Sequence, residues 1–408
     1  MPRYSKTQAG KLRGSVATIE QRAAERIKFR ETGASLWLDA TRGCAALLVL
    51  LDHCHNLFFV GRETAMQATG HRLWTALFYS LRTAGTAAVV VFFVLSGYLI
   101  SGSVLRAVEQ GRWSWKDYLT HRFVRLWLVL LPALVLCAGW DAWRVALEHA
   151  LGQGSAGGFA ARLATAGVTT KLFVANALFL GSIHADTFGS DRVLWSLAAE
   201  FWYYLLFPLG LLALRRQTSV SIRVMYALIF LLVAAFTGRG VLGLFPVWLL
   251  GAGLAMVPAA RCGAALRWLA VVLFVPVLLV LGEADWPWRY FKMAYVLGLA
   301  TALFLWVMLS DRRRVNESAV GVRATRRLAR LSYSLYLVHY PLLAFGATWL
   351  VRRGKWLPSS RTLLEGAGIC AMALAYSYGV ASLTEFHTDA VRRWVQERLW
   401  ERGRPRVT

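Results

Sequence analysis

The chain has few charged residues, and very few acidic ones. Only 17% of its 408 residues are charged, and 22 Asp and Glu stand against 46 Lys and Arg, which gives a formal net charge of +24. Soluble domains carry roughly 25% charged residues, whereas 57% of this chain is hydrophobic. This composition excludes a disordered chain and argues against a soluble enzyme. It also argues against a nucleic-acid binder, because long apolar runs separate tight basic clusters.

Cysteine is also scarce, and its spacing is uninformative. The five cysteines are scattered, form no CxxC motif and are odd in number, so neither a zinc site nor a disulfide framework is indicated. One short run, Asp52 to His55, resembles a set of metal ligands. His53 and His55 would point about 200° apart on a helix and could not chelate together. We therefore predict no metal site.

Common catalytic motifs are missing as well. No GxSxG elbow supports a serine hydrolase. The run Gly251-Ala252-Gly253 has neither a P-loop lysine nor a Rossmann context, so we interpret it as a helix-packing segment. The sequence shows neither an internal repeat nor an appended soluble domain.

Long apolar runs dominate what the sequence does contain. A membrane helix needs about 20 mostly apolar residues to cross about 30 Å of hydrocarbon. Only Gly238, Arg239 and Gly240 separate two of these runs. We predict an all-α integral membrane protein with about ten transmembrane helices, at 36–58, 85–105, 122–141, 193–213, 222–237, 240–257, 265–282, 291–309, 328–350 and 363–386.

The distribution of basic residues predicts the orientation, because cytoplasmic loops are enriched in Lys and Arg. With the N-terminus inside, the inside segments carry about twice as many basic residues as the outside loops. Both termini are therefore expected in the cytoplasm, as a basic arm (1–35) and a basic tail (387–408) flanking a ten-helix domain (36–386). The longest periplasmic loop is expected at about 142–192. No signal-peptide core precedes the first span, so we predict a multi-pass inner-membrane protein in contact with anionic lipids.

The first predicted span contains the densest set of ionisable residues. Such groups cost several kcal/mol inside a membrane and mark functional sites by default. Arg42 and His53 are eleven residues apart, or three turns plus about 20°, and so share one face about 16 Å apart. Asp39 lies one turn before Arg42 and can pair with it, and Asp52 precedes His53. The structural alternatives are an Arg42 that reaches lipid phosphate and a His53 that bonds to another helix.

The next two spans add a serine and two arginines. Ser96 lies in VVVFFVLSGYLIS, where close helix packing is the favoured interpretation. Arg122 and Arg125 are three residues apart and share a face at the mouth of the third span. Two neighbouring arginines suit a multiply charged phosphate ligand, although anchoring at the cytoplasmic surface is an equal alternative.

The fourth and ninth spans carry the remaining candidates. Glu200 lies about seven residues into the fourth span, or roughly 10 Å deep, where a carboxylate needs a partner. A histidine or the substrate would serve as that partner. The ninth span reads LSYSLYLVHYPLL and places Tyr336 and His339 near mid-membrane.

These segments together resemble the acyltransferase-3 family of bacterial membrane proteins, which acylate surface and exported carbohydrates. The resemblance runs from about residue 36 to 392 and keeps the family's order. Arg42 and His53 match its Arg–ten residues–His pattern, and Arg122 and Arg125 match its arginine pair. The other matching segments are LDATRG, FFVLSGYLIS, LWSLAAEFWYY and SYSLYLVHYP. The chain resembles the stand-alone form of the family, without an SGNH esterase domain.

The resemblance implies a membrane O-acyltransferase that takes an acetyl or longer acyl group from cytoplasmic acetyl-CoA. The acceptor would be a hydroxyl of a polysaccharide or a lipid-linked oligosaccharide. Arg42, Arg122 and Arg125 would hold the CoA phosphates. His53 would act as general base, and Glu200 or Asp52 would orient it or bind acceptor hydroxyls.

Supporting roles are expected for four residues outside that set: Asp39, Ser96, Tyr336 and His339. An acyl-enzyme on His53 or Ser96 is a less favoured variant. No permanently bound cofactor and no nucleic-acid partner are expected, and a homo-oligomer stays open. The alternative function is a proton-coupled transporter or flippase with Asp39, His53, Glu200 and His339 as a relay. Transporters often show repeat symmetry, however, and none is visible here.

Overall fold

The computed structural model describes residues 31–69, 73–152, 159–281 and 288–400. Within these ranges the chain is helical, with isolated β-bridges but no strand, so the predicted all-α class is confirmed. Most of the predicted arm and the last residues of the predicted tail lie outside them. The helices are α1 Gly33–Phe58, α2 Arg62–Thr69, α3 Leu73–Glu109, α4 Trp115–Ala150, α5 Phe159–Thr165, α6 Thr170–Ala177, α7 Leu194–Leu214, α8 Val220–Leu242, α9 Phe245–Leu254, α10 Ala264–Leu281, α11 Trp288–Met308, α12 Val320–Leu350, α13 Ser360–Leu383 and, after a 3-10 turn Glu385–His387, α14 Thr388–Trp400.

Seven helical segments of the described chain are long and apolar enough to cross a membrane, and they begin in α1, α3, α4, α7, α8, α10 and α13. Shorter apolar helices, α9 and the 292–308 part of α11, add two more candidates. The ninth predicted span falls on α12, whose first turns are rich in arginine. Within the described residues, each of the ten predicted spans is thus mainly helical, as expected of a multi-pass membrane protein. The count of ten and the side of each terminus stay predictions.

Two helix boundaries differ from the expected ones in an informative way. Helix α4 continues to Ala150, so the first part of the expected 142–192 loop is helical. Arg144 sustains this extension by pairing with Asp141 at 3.2 Å and with Glu148 at 2.9 Å along the same helix face. Between the fifth and sixth predicted spans, the chain kinks at Gly238, whose φ of 71° is a conformation that glycine adopts without steric cost.

The closest helix packing in the bundle joins α12 to α1, α1 to α3, and α3 to α9. A side chain at Gly97 of α3 would collide with the carbonyl oxygen of Trp248, and one at Gly251 of α9 would collide with that of Val94. Such close backbone approach is what small residues permit between membrane helices. The packing interpretation of Gly97 and Gly251 is therefore confirmed.

The outer helices expose large apolar side chains. Leu232 on α8 and Val272 on α10 are 70% and 65% exposed, and their neighbours on the same helices behave similarly. Soluble proteins avoid extended apolar surface of this kind, whereas lipid covers it at no cost. The central helices thus hold the polar side chains, and the outer helices face lipid.

The loop after α11 fixes the start of α1. The backbone carbonyl of Asp311 accepts a hydrogen bond from Ala34 N at 2.8 Å, and its carboxylate accepts one from Trp37 Nε1 at 3.2 Å. Hydrogen bonds from Arg313 lower the pKa of the Asp311 carboxyl to about 2, and the nearby Arg267 acts in the same direction. This anchor sets the position of α1, the helix that carries Arg42 and His53.

Candidate active site

A cavity of about 290 Å³ lies between α1, α3, α4, α7 and α12. Much of its wall is apolar, with Phe92 and Leu99 among the contributors. Ligand pockets of this kind combine an apolar lining with a few convergent polar groups. The polar groups here are largely those that the sequence singled out, and the cavity lining includes Arg42, Ser96, Arg122, Arg125, Glu200 and Tyr336.

Three guanidinium groups line this cavity, together with the carboxylate of Glu200. In the part of the chain that the structure describes, Arg42, Arg122 and Arg125 form no ion pair, and Arg122 Nε is buried without a hydrogen-bond acceptor. The Arg122 guanidinium lies 5.5 Å from the ring of Tyr118 and 5.7 Å from that of Tyr204, within range of cation–π attraction. Three arginines and one carboxylate, that of Glu200, line the cavity, and this excess of positive charge suits an anionic ligand.

A chain of hydrogen bonds crosses one wall of the cavity. Trp248 Nε1 donates to Ser96 Oγ at 3.3 Å, Ser96 Oγ donates to Tyr204 Oη at 3.4 Å, and Tyr204 Oη donates to Glu200 Oε1 at 2.6 Å. The Ser96 proton is therefore directed at a tyrosine and not at a base. This surrounding favours a structural role for Ser96 over that of a nucleophile.

Tyr336 closes the cavity on the side of the histidines. Its hydroxyl is 2.6 Å from Ser196 Oγ, and its ring centroid is 6.5 Å from that of His339. His53 is not among the residues that line the cavity. The Tyr336 side chain thus lines the cavity and also lies beside the histidine pair.

The two predicted histidines meet directly, although 286 residues separate them. His53 Nδ1 lies 2.8 Å from His339 Nε2, and His339 Nδ1 lies 2.6 Å from the carbonyl oxygen of Leu335. The two rings are inclined by only 14°, and the ring of Tyr340 meets that of His53 edge-on at 4.9 Å. His339 is fully buried. The pair is therefore held from several directions.

The two carboxylates that the sequence proposed as partners of His53 lie elsewhere. Asp52 accepts a hydrogen bond from Asn56 Nδ2 at 2.5 Å on its own helix, and Glu200 accepts one from the Tyr204 hydroxyl. The side chain that hydrogen-bonds to the imidazole of His53 is that of His339. Glu200 still lines the cavity, whereas Asp52 does not.

Asp39 also takes a partner other than the expected one. Its carboxylate lies 2.9 Å from Arg326 Nη1 on α12, and the same guanidinium binds Glu317 at 2.5 Å. Arg326 is buried, and it also donates to Ser35 Oγ at 3.3 Å. Asp39 is thus committed to a pair with Arg326, which leaves Arg42 to face the cavity.

No metal cluster is evident in the ranges that the structure describes, where no three His, Cys, Asp or Glu side chains converge. His55 lies among aromatic rings, with centroid distances of 4.6 Å to Tyr79 and 4.7 Å to Phe78. Its surroundings are those of a packed core side chain.

Sequence reasoning missed several polar residues around the cavity. Ser196 and Tyr204 precede and follow Glu200 by four residues, so a helical-wheel reading of α7 would have placed all three on one face. Trp248 and Arg326 gave no such signal. Ser96, which accepts from Trp248, and Asp39, which pairs with Arg326, lie more than 150 residues away from them along the chain.

Comparison with known proteins places the chain among acyltransferases. Residues 35–382, from α1 almost to the end of α13, match the family model described as an acyltransferase domain. A protein named O-acetyl transferase from Shigella phage Sf6 is 26% identical over 219 residues, 52% of this chain and 56% of the phage protein. A protein named O-acetyltransferase PaAT-1 from Phomopsis amygdali is 32% identical over 111 residues, 27% of this chain and 21% of the fungal protein.

The similarity to these relatives is partial. The chain spans about half the length of the phage protein and about a fifth of that of the fungal one. A third relative, an uncharacterized protein from Haemophilus influenzae, is 28% identical over 157 residues, 35% of this chain and 58% of that protein. No solved structure matches the chain. The family match covers far more of the sequence than any of these pairs, and on its extent the chain belongs to the acyltransferase-3 family.

Proposed function

We propose that this protein is a membrane O-acyltransferase that moves an acetyl or longer acyl group from cytoplasmic acyl-CoA to a hydroxyl of a surface or exported carbohydrate. The observation that carries the proposal is the cavity with three unpaired arginines, which closes at Tyr336 beside the histidine pair. Two relatives named as O-acetyl transferases support the reaction class.

The arginines would bind the phosphates of the donor. CoA carries several phosphate charges, and guanidinium groups bind phosphate through paired, charge-assisted hydrogen bonds. Arg125 is exposed, whereas Arg42 and Arg122 are partly buried, so the cluster leads from the surface into the cavity. The apolar wall beyond them would accept the less polar pantetheine arm and its thioester. A displacement of Tyr336 would bring the thioester toward His53.

His53 would act as general base. Its neutral imidazole takes the proton of the acceptor hydroxyl while the oxygen attacks the thioester carbonyl. The C–O bond forms, the C–S bond breaks, and the CoA thiolate leaves and regains a proton from the imidazolium. A well-placed base contributes roughly 10²–10⁴-fold to such a step.

The acceptor and the location follow from the same proposal. With the N-terminus inside, Arg42 would lie toward the cytoplasm and His53 about 16 Å deeper. A donor from the cytoplasm and a polysaccharide or lipid-linked oligosaccharide from the opposite side would then meet near mid-membrane. The protein would reside in the bacterial inner membrane as a multi-pass enzyme in contact with lipids.

Purified protein in lipid nanodiscs, incubated with labelled acetyl-CoA and a surface glycan, tests the proposal. We expect CoA thiol release that depends on the glycan, and a loss of about 10²–10⁴-fold in His53→Ala. His149→Ala is the matched control, because His149 is exposed at the end of α4. Wild-type rates in His53→Ala would remove the general-base role.

The same assay separates the enzyme from a transporter. Thiol release, or protection of the protein against unfolding by CoA, supports the enzyme. If neither response is observed, the result favours a transporter. Its candidate proton relay would be Asp39, His53, Glu200 and His339. Within the described residues, Asp39 pairs with Arg326 and Glu200 accepts a hydrogen bond from Tyr204, and neither carboxylate is hydrogen-bonded to the histidine pair.

A further inference from the structure

The hydrogen bonds around the histidine pair determine which nitrogens carry protons. A backbone carbonyl can only accept, so the contact between Leu335 O and His339 Nδ1 requires a proton on Nδ1. A neutral imidazole carries one proton, which leaves His339 Nε2 as an acceptor. The 2.8 Å contact from this Nε2 to His53 Nδ1 then requires the proton to sit on His53 Nδ1.

The argument needs a neutral His339, and its surroundings provide that. The side chain is fully buried, and within the described residues no carboxylate contacts its ring. Leu335 and Leu342, on the same helix, are buried alongside it. A charged imidazolium without a counter-ion in an apolar site costs several kcal/mol, so the neutral form is strongly favoured.

The ring of His53 is also fixed in orientation. Its plane is nearly parallel to that of His339, and the centroids are 5.1 Å apart, as an in-plane N–H···N bond requires. Tyr340 contacts the ring edge-on, with an angle of 88° between the planes. His53 Nε2 makes no hydrogen bond to the part of the chain that the structure describes, so its lone pair is available to a substrate.

We propose that His339 is a positioning residue that sets the tautomer of His53, keeping the proton on Nδ1 and presenting an unprotonated Nε2 to the acceptor hydroxyl. The inference rests on the proposed function for its consequence, but the tautomer itself is a property of the resting protein. When Nε2 takes the proton, His53 becomes an imidazolium whose Nδ1–H still donates to His339 Nε2. A backbone carbonyl and a second histidine thus take the place that a carboxylate occupies in other catalytic histidine pairs.

Nitrogen-15 NMR of protein labelled at histidine tests the tautomer directly. The chain has eight histidines, and the signal that disappears in His53→Ala assigns His53. We expect a neutral ring protonated on Nδ1 in the wild type at neutral pH. In His339→Phe, which offers no acceptor, the signal should move toward the Nε2-protonated form. A charged or Nε2-protonated His53 in the wild type, or an unchanged tautomer in His339→Phe, would overturn the proposal.

Kinetics give the second readout. His339→Phe should lower kcat by roughly 10²–10⁴-fold, as the wrong tautomer does in other histidine catalysts, and leave KM for acetyl-CoA within about threefold. His339→Gln, whose amide oxygen can still accept from Nδ1–H, should recover part of this loss. His149→Phe is the matched control. Equal activity of the Phe and Gln variants would count against positioning through a hydrogen bond.

The two measurements fail separately. If no acyl transfer is found, the proposed function fails, while the NMR signal of His53 still decides the tautomer. If His339→Phe does not fold, His339→Gln and the wild-type spectrum still decide whether Nδ1 of His53 carries the proton.

Discussion

Two arginines approach the same end of α1 in opposite surroundings. Arg326, on α12, is buried and binds both Asp39 and Glu317. Arg42, one turn after Asp39 on α1, faces the cavity and forms no ion pair within the described residues. Both are buried or partly buried cations, but only one has its counter-charges within the protein.

The difference separates the structural arginines from those that we propose to bind the donor more clearly than their positions do. A buried cation must be compensated, either by the fold or by what binds to it. Arg326, Arg267 and Arg313 are compensated by carboxylates, at Asp39, Glu317 and Asp311. Arg42, Arg122 and Arg125 form no ion pair within the described residues, although the carboxylate of Glu200 lines the same cavity, and an anionic donor would complete their surroundings.

The largest effect is expected from breaking the compensated group. Arg326→Ala should lower the free energy of unfolding by about 3 kcal/mol, because it leaves the Asp39 carboxylate without its partner between α1 and α12. Unfolding followed by tryptophan fluorescence in detergent measures this loss. Arg327→Ala, on the exposed side of the same turn, is the control and should stay within about 0.5 kcal/mol of the wild type. Equal unfolding free energies for the two variants would contradict the structural role of Arg326.

Removing an uncompensated arginine should affect binding and not stability. Arg42→Gln should raise KM for acetyl-CoA by about 10–100-fold, since a hydrogen bond to a charged group is worth about 1.5–3 kcal/mol. Its unfolding free energy should not fall, because a charge without a partner is removed. Arg330→Gln, an exposed arginine on α12, is the control for general loss of positive charge. An unchanged KM would exclude Arg42 from donor binding.

Low pH should reduce the stability that Asp311, the other carboxylate paired with arginine, contributes to the fold. Because its pKa in the folded protein is depressed to about 2, its pairing stabilises the fold above the unfolded pKa of about 4. That contribution, about 2 kcal/mol at most, is lost as pH falls from about 4 through 2. The difference in unfolding free energy between wild type and Asp311→Asn should therefore shrink over this window. A difference that is independent of pH would contradict the ion pairing.

The sequence predicted the helices well and their contacts poorly. Each apolar run became a helix because about 20 consecutive apolar residues have no other stable form in a membrane. The sequence predicted a boundary between two spans at Gly238, Arg239 and Gly240, whereas the helix only kinks at Gly238 and continues to Leu242. The end of α4 was not predicted, because the pairs that Arg144 makes along the helix extend it beyond the apolar window.

The site residues were likewise predicted better than the contacts between them. The family resemblance implied that Arg42, Arg122 and Arg125 act together, and the fold brings all three to one cavity. It could not show that Asp39 bonds to Arg326 or His53 to His339, because these contacts join residues more than 280 positions apart. Local periodicity reports which face a residue lies on, but not which helix packs against that face.

Salt gives the smallest and most discriminating effect. The Debye length falls from about 10 Å at 0.1 M to about 3 Å at 1 M, and screening acts mainly on exposed charges. Arg125 is exposed at the cavity, whereas Arg326 is enclosed with its partners. KM for acetyl-CoA should therefore rise about threefold between 0.1 and 1 M salt, and Arg125→Gln should flatten this dependence. Arg327→Gln should leave it unchanged, and the unfolding free energy of the wild type should respond little. The contrary result is that salt lowers the unfolding free energy and leaves KM for acetyl-CoA unchanged. In that case the exposed arginines would be the structural ones, and the division between the two groups would be reversed.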